Sequence, residues 1–312
     1  MELSYIIKKS DIVKPVNQIL LEQFNFSNRL LYKLIKNQKI FVNGSVCNTR
    51  KTANYNDKIT VNLDFEEDNS NIQPNFMKLN IIYEDEWMLA INKPAGYPVH
   101  PSLLHYTDSI SNAVKFYFDS IGLKKKIRPV NRLDLNTSGI IIFAKSEYIQ
   151  ECFIRQMSEN IFQKTYICLV DGILEQKSGT INLPIGRKDG SIIERCIRSD
   201  GKIAITNYKV LGEYSISNAY TAHNTNSLKT YNLKSYSLLE CTLKTGRTHQ
   251  IRVHLAAIGH PIIGDTLYGE TSELIHRQAL HSYRINCIHP ITKKPLSLEA
   301  PIPKDIKICT TR

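Results

Sequence analysis

The chain has 312 residues, of which 42% are hydrophobic, and it carries a formal net charge of +11. This composition predicts a globular protein large enough for two domains, and the positive charge favours a polyanionic partner such as nucleic acid. No apolar run approaches the roughly 18 residues of a membrane span, and the N-terminal segment lacks an export signal, so we expect a cytoplasmic protein without membrane contact. Seven scattered cysteines without a CxxC spacing argue against a disulfide framework and a zinc site.

Residues 1–63 are the most basic part of the chain, with ten Lys and Arg against four Asp and Glu. Apolar residues recur at three- and four-residue steps through 12–36, and Ser27 has the position of an N-cap for a second helix. A short strand with an Asn-Gly turn is predicted over 39–46, and a turn followed by a strand over 56–63. Two short helices and a small sheet therefore form a compact basic module.

The acidic, polar segment 64–78 contains a proline and predicts a flexible linker. From residue 79 to 312, apolar segments with strand character alternate with helical ones, which indicates an α+β domain built on a mixed, largely antiparallel sheet. The polar segment 215–232 is interpreted as an inserted loop. Strands are predicted at 79–83, 88–91, 139–144, 165–170, 204–210, 235–243 and 279–285, and helices at 109–120, 147–158 and after Gly246.

Charged and polar residues in four segments of this larger domain are typical of loops that form a site. The segments are Asn92-Lys93-Pro94-Ala95-Gly96, Arg132-Leu133-Asp134 with Thr137-Ser138-Gly139, Lys164-Thr165-Tyr166, and Gly246-Arg247-Thr248-His249-Gln250-Ile251-Arg252. Together they resemble the catalytic domain of the RluA family of RNA pseudouridine synthases, and residues 12–63 resemble an S4-type RNA-binding domain. The resemblance covers nearly the whole chain and implies an S4-type domain over 1–63, a linker over 64–78 and a catalytic domain over 79–312.

Carried over by position, the resemblance implies that Asp134 is the catalytic aspartate and that Arg252 pairs with it. Tyr166 would stack on the uracil and is the candidate base for the C5 proton. Arg132 would help to extrude the target base and fill its place, while Ile251 would close the pocket. Whether Asp134 attacks the ribose, attacks the base or removes a ribose proton is left open by the sequence.

Further residues are expected to contact substrate. Lys93 would bind phosphate, and Asn131 stands where the family usually has histidine, which predicts altered loop hydrogen bonding or substrate contact. The second helix of the N-terminal module would supply phosphate contacts. These are Arg29, Lys33 and Lys36, with Arg50 nearby.

The implied reaction isomerises uridine without a redox group, a metal or an external nucleotide, so no cofactor is expected. The expected substrate is large-subunit ribosomal RNA, with transfer RNA as the second choice and no obligate protein partner. One alternative is an inactive RNA-binding or ribosome-assembly factor on the same fold. Another is a two-carboxylate glycoside hydrolase, which needs a second acid beside Asp134, whereas Asp265 looks structural. His249 and His254 are five residues apart, which does not suit a helical zinc site, and His249 is interpreted as a structural hydrogen-bonding residue.

Overall fold

The computed structural model describes residues 1–218 and 232–310. The chain divides into two compact units, the first comprising Met1–Ala90, His100–Asn131 and Ile142–Arg155, and the second Ile91–Val99, Arg132–Ile141 and Gln156–Arg312. These units do not follow the predicted boundaries at residues 63 and 79. The first unit also takes in residues that were assigned to the catalytic domain, and these contact the N-terminal module: Ser27 Oγ, for example, donates to Glu151 Oε1 at 2.6 Å.

The N-terminal module begins the first unit and contains the predicted helices and hairpin. Its elements are β1 (Glu2–Ile6), α1 (Val16–Phe24), α2 (Asn28–Lys36), β2 (Ile40–Val42), β3 (Ser45–Val46) and β4 (Lys58–Asn62). The four strands form an antiparallel sheet in the order β1-β4-β2-β3. As predicted, Ser27 caps α2, because its side-chain oxygen accepts a hydrogen bond from the Leu30 amide at 3.1 Å. The buried side chains Leu20, Leu34 and Ile59 hold helices and sheet together.

The predicted linker is held in place within this unit. The Glu67 side chain is 5% exposed and accepts hydrogen bonds from Arg128 Nη1 at 2.6 Å, Arg128 Nη2 at 2.7 Å and Lys33 Nζ at 2.9 Å. Burial alone would raise the pKa of Glu67, but these cations outweigh it and lower the pKa to about 2. The segment 64–78 is therefore anchored through Glu67, a contact that its composition did not predict because the cation lies 61 residues away.

The remainder of the first unit contains strand and helix segments that the sequence predicted. Two of them, β5 (Ile81–Glu84) and α3 (Ile110–Ser120), lie wholly in the first unit. Three others are divided between the two units: β6 (Met88–Lys93), β7 (Ser138–Ala144) and α4 (Glu147–Ser158). Continuous apolar side chains make β7 buried along its whole length. Such a run is typical of a strand covered on both faces.

The second unit is built on a mixed sheet. Its further elements are β8 (Gln163–Asp171), β9 (Ser178–Asn182), β10 (Ile185–Arg187), β11 (Arg195–Ile197), β12 (Ile205–Asn218), β13 (Asn232–Leu243), α5 (Gln250–Ala257), β14 (Leu280–Ile288), β15 (Pro295–Glu299) and α6 (Lys304–Thr310). The strand order is β6-β7-β14-β8-β13-β12-β9, with β15 paired to β14 and β10 paired to β11 in a separate hairpin. The contact between β7 and β14 is parallel, whereas β14–β8, β8–β13, β13–β12 and β12–β9 are antiparallel. The predicted α+β class is confirmed.

Residues 215–218 and Asn232, which were predicted as part of a loop, belong to strands, because β12 extends through Asn218 and β13 starts at Asn232. Residues 219–231 of that prediction lie outside the described residues. In the described ranges, no helix has the length and apolar character needed to cross a membrane.

Gly139 brings the start of β7 close to β14. Its φ is +113°, and a Cβ added there would lie 2.6 Å from the backbone nitrogen of Ser282, its register partner in β14. Only glycine combines this backbone angle with such a close approach. Because β7 starts four residues after Asp134, this contact sets where the Asp134 loop leaves the sheet.

Candidate active site

Lys93, at the end of β6, fastens the loop that carries Asp134. Its ammonium donates hydrogen bonds to the carbonyl oxygens of Pro94 at 2.9 Å, Tyr97 at 2.7 Å and Leu135 at 2.8 Å. Burial lowers the pKa of Lys93 to about 7, and the charge of Asp134 opposes that shift. The side chain is fully buried, with all three ammonium hydrogens directed to carbonyls. The predicted phosphate contact is thus wrong, because Lys93 holds the backbone beside Asp134 instead of facing solvent.

Arg252 joins two carboxylates. Its Nε and Nη2 donate to Asp265 at 2.6 and 2.8 Å, and its Nη1 donates to Asp134 Oδ2 at 3.1 Å. Asp265 is 1% exposed and Arg252 8%, whereas Asp134 is 27% exposed. The planar guanidinium is thereby oriented by the buried carboxylate and presents its remaining edge to the exposed one. The pairing of Arg252 with Asp134, predicted from the resemblance, is present in the structure.

Asp265 does not have the freedom of a catalytic acid. Besides the two Arg252 bonds, its Oδ1 accepts from the Leu267 amide at 3.1 Å, and it is almost completely buried. A glycoside hydrolase needs a second carboxyl group that reaches the substrate. This geometry argues against the glycoside hydrolase alternative.

The start of α5 is fixed by one buried amide. Gln250 Oε1 accepts from the Arg247 amide at 3.0 Å and from Thr245 Oγ1 at 2.8 Å, while its Nε2 donates to the Ile205 carbonyl and to Thr206 Oγ1, both at 3.0 Å. All four hydrogen-bonding positions of the side chain are filled, so the loop before α5 is tied to β12. This places Ile251 and Arg252 at the first turn of the helix.

A cleft of about 70 Å³ contains the predicted catalytic residues. It is lined by Arg132, Leu133, Asp134, Thr137, Tyr166, Leu243, Arg247, His249, Gln250, Ile251, Arg252 and Leu280. Burial raises the pKa of the Tyr166 phenol well above its usual value, and the charge of Asp134 raises it further. Both effects favour the protonated, neutral form of the phenol in the free protein.

The expected substrate-binding residues differ in accessibility. Arg132 is exposed and lines the cleft, which is compatible with its expected contact with RNA. In the first unit Asn131 is buried, and its Oδ1 accepts from the Ile142 amide at 3.0 Å, so it takes part in loop hydrogen bonding and its predicted substrate contact is not supported. Lys33 is occupied by Glu67 and Glu147, whereas three other predicted phosphate contacts are exposed. These are Arg29, Lys36 and Arg50.

From the sequence, no role was assigned to Arg247 or Tyr268, which lie in or beside the cleft, and His249 was given only a structural role. Arg247 lines the cleft, and Tyr268 lies behind it, with the Arg252 guanidinium 5.0 Å from its ring centroid. His249, expected to be structural, lines the cleft and lies 3.9 Å from Asp134 through its Nε2. The signal for Tyr268 was its segment, Gly264-Asp265-Thr266-Leu267-Tyr268-Gly269, of which only Asp265 was considered in the sequence analysis.

His254 is buried and both of its ring nitrogens contact other parts of the second unit. Its Nε2 lies 2.9 Å from the Leu183 carbonyl and its Nδ1 3.0 Å from Thr206 Oγ1. Within residues 1–218 and 232–310, no group of three or more His, Cys, Asp or Glu side chains is arranged to hold a metal ion.

Comparison with known proteins agrees with this geometry. Residues 88–257 match the family of RNA pseudouridylate synthases. An RNA pseudouridine synthase of Bacillus subtilis, YhcT, described as uncharacterized, is 36% identical over 286 residues, which covers 91% of this chain and 89% of the relative. The chain therefore belongs to the RNA pseudouridine synthases of the RluA family, which are isomerases that convert uridine in RNA to pseudouridine.

Two further relatives extend the comparison. The ribosomal large subunit pseudouridine synthase D of Xanthomonas campestris is 30% identical over 317 residues, covering 97% of this chain and 89% of the relative. The structure of human RNA pseudouridylate synthase domain containing 1 has a TM-score of 0.58 at 24% identity and covers 76% of this chain and 90% of its own. At this identity the human structure supports the fold alone.

Proposed function

We propose that this enzyme acts in the cytoplasm on uridines of large-subunit ribosomal RNA, with Asp134 as the catalytic aspartate. The observation that carries the proposal is the cleft in which Asp134, held by Arg252, shares the lining with Tyr166 and Ile251. A partly exposed carboxylate oriented from behind by a guanidinium is suited to act on a bound nucleotide.

The chemistry explains these residue types. In the isomerisation the bond between C1′ and N1 of uridine breaks, the uracil turns, and C5 bonds to C1′; C5 loses a proton and N1 gains one. No electrons are exchanged with another molecule. The step requires a carboxylate beside the sugar and base, and Asp134 supplies it.

The uridine must leave its helix before it can enter the cleft. Extrusion costs a few kcal/mol, and stacking on an aromatic side chain returns about 1–3 kcal/mol per base. Tyr166 offers that ring, and the exposed Arg132 offers a side chain to fill the vacated place. These two roles together make extrusion energetically feasible.

Two observations support ribosomal RNA as the substrate. The Xanthomonas campestris relative, which aligns over 97% of this chain, is a ribosomal large subunit pseudouridine synthase. The N-terminal module also exposes Arg29, Lys36 and Arg50, which suit phosphate contacts. The inactive-factor alternative is disfavoured, because Asp134 retains its Arg252 partner.

Tritium release tests this proposal. Purified protein is incubated with large-subunit ribosomal RNA or transfer RNA carrying tritium at C5 of uridine, and released label is counted. We expect release from ribosomal RNA by the unmodified enzyme and by the control Asp171→Asn, whose side chain is exposed in the same unit. Asp134→Asn should abolish release while RNA affinity stays within a few-fold.

Each other outcome contradicts one part of the proposal. Release from transfer RNA alone would overturn the substrate, and turnover by Asp134→Asn would overturn the role of Asp134. Tight RNA binding without release from any cellular RNA would favour an inactive RNA-binding factor.

A further inference from the structure

His249 precedes helix α5 with a left-handed backbone, at a φ of +56°. Residues other than glycine adopt this backbone conformation rarely. It persists where surrounding contacts stabilise it, often at functional sites. The imidazole of His249 lines the cleft together with Asp134. Both of its ring nitrogens have polar neighbours, and these neighbours determine where its proton resides.

Tyr268 fixes the first nitrogen. Its hydroxyl oxygen lies 2.8 Å from His249 Nδ1 and accepts a hydrogen bond from the Arg195 backbone amide, also at 2.8 Å. Because the amide uses the hydroxyl as acceptor, the phenol proton is available for donation to Nδ1. Burial raises the pKa of Tyr268, which keeps that proton on the phenol. A neutral imidazole that accepts at Nδ1 carries its own proton on Nε2.

The second nitrogen faces the catalytic carboxylate. Nε2 lies 3.9 Å from Asp134 Oδ1, whereas the other oxygen, Oδ2, is held by Arg252 at 3.1 Å. The 3.9 Å separation exceeds a hydrogen bond, but catalytic hydrogen bonds are often long before substrate binds and shorten in the complex. The two oxygens of Asp134 thus face different donors.

We infer that His249 is a positioning residue that, as a neutral imidazole protonated on Nε2 through Tyr268, donates to Asp134 Oδ1 in the substrate complex and fixes the rotation of that carboxylate. This inference rests on the proposed catalytic role of Asp134. Arg252 and His249 then hold one oxygen each. The carboxylate meets the nucleotide in a single orientation, which is the form of preorganisation that raises turnover.

The charges around the imidazole agree with a neutral form. Burial lowers the pKa of His249, and the nearby Arg252 and Arg195 lower it further, while Asp134 and Asp265 oppose the shift. Donation from Tyr268 to Nδ1 favours the unprotonated nitrogen as well. Loss of the Tyr268 hydroxyl should therefore raise the pKa of His249 toward its ordinary value.

The tautomer is measured directly in the full-length protein. Nitrogen-15 labelling of the imidazoles, with the His249 signals assigned from their loss in His249→Gln, distinguishes Nδ1–H from Nε2–H. We expect the neutral Nε2–H form at pH 7. A proton on Nδ1, or an imidazolium at that pH, overturns the inference without bearing on whether the enzyme modifies RNA.

Kinetics test the consequence. His249→Ala should lower kcat by roughly 10- to 100-fold with KM within a few-fold, because a misoriented carboxylate slows the reaction more than it weakens binding. His249→Gln should recover much of kcat, since its amide can donate to Asp134. His260→Gln, which removes a histidine that contacts a backbone carbonyl instead, is the control and should leave kcat unchanged.

A double-mutant cycle measures directly whether His249 and Tyr268 act together on kcat. Tyr268→Phe keeps the ring beside Arg252 and should lower kcat, because Nδ1 loses the donor that keeps the imidazole proton on Nε2. In a His249→Gln background the same change should have almost no effect on kcat, because no imidazole remains to be oriented. A double-mutant cycle cancels the loss of the Arg195 contact, which is common to both backgrounds.

Each kinetic outcome is decisive. Equal effects of Tyr268→Phe in both backgrounds, or a kcat of His249→Ala within about twofold of the unmodified enzyme, would overturn the inference. Thermal unfolding of each variant confirms that it is folded. Turnover by Asp134→Asn would instead refute the proposed function, and the tautomer result would still stand.

Discussion

Asp265→Asn isolates the contribution of the buried carboxylate that orients Arg252. The substitution preserves shape but removes a charge that receives two of the three hydrogen bonds from Arg252 to acidic side chains. Hydrogen bonds to charged groups contribute about 1.5–3 kcal/mol each, and breaking a buried pair costs roughly 3–5 kcal/mol. Since Arg252 is 8% exposed, water cannot replace the lost acceptor, so we expect a loss of about 3–5 kcal/mol in the free energy of unfolding.

Urea unfolding followed by circular dichroism measures this loss. Asp200→Asn is a matched control, because Asp200 pairs with Arg198 at 2.8 Å at an exposed position and its substitution should leave the midpoint unchanged. We also expect kcat of Asp265→Asn to fall at least about tenfold, as Arg252 is released from its orientation. A midpoint and a kcat both equal to those of the control would refute the view that Asp265 orients Arg252.

Three further predictions follow from individual contacts. Lys93→Met should lower both the free energy of unfolding and kcat, because three backbone carbonyls beside Asp134 lose their donor. Urea unfolding measures the first effect and tritium release the second, and unchanged turnover would contradict the prediction. Arg132→Gln should reduce turnover on structured RNA more than on an unpaired uridine, and equal losses on both substrates would exclude a role in base extrusion. Glu67 has a pKa of about 2 in the folded state against about 4.5 when free, so its stabilisation, about 3 kcal/mol at neutral pH, is lost as the pH falls through this range. Glu67→Gln should therefore be destabilising at pH 7 and nearly neutral only at about pH 2, where the folded-state carboxyl is protonated, and an equal effect at both would refute the assignment.

Apolar periodicity predicted the main strands and helices of this chain, because each of them buries a continuous apolar face. The strand predicted at 139–144 corresponds to β7 at Ser138–Ala144. Short elements without such a face were missed, among them β10 and β11, with three residues each. Hydrophobic pattern carries little information over so short a length.

The resemblance predicted that Asp134, Tyr166 and Arg252 share a site, and the structure places all three in the lining of one cleft. Contacts whose partners are distant in sequence were not predicted. Lys93 was misjudged because its acceptor Leu135 lies 42 residues away, and the fold alone directs the ammonium inward. The contact between Glu67 and Arg128 was missed for the same reason, because the two residues lie 61 positions apart in the sequence.

The close approach at Gly139 has a consequence for variation and redesign of this enzyme. Backbone meets backbone there, with Gly139 against Ser282, so no side chain adjusts the gap. The five-residue step from Asp134 to Gly139 therefore fixes the distance between the Asp134 carboxylate and the sheet. An insertion or deletion within this step should displace that carboxylate from the Arg252 guanidinium.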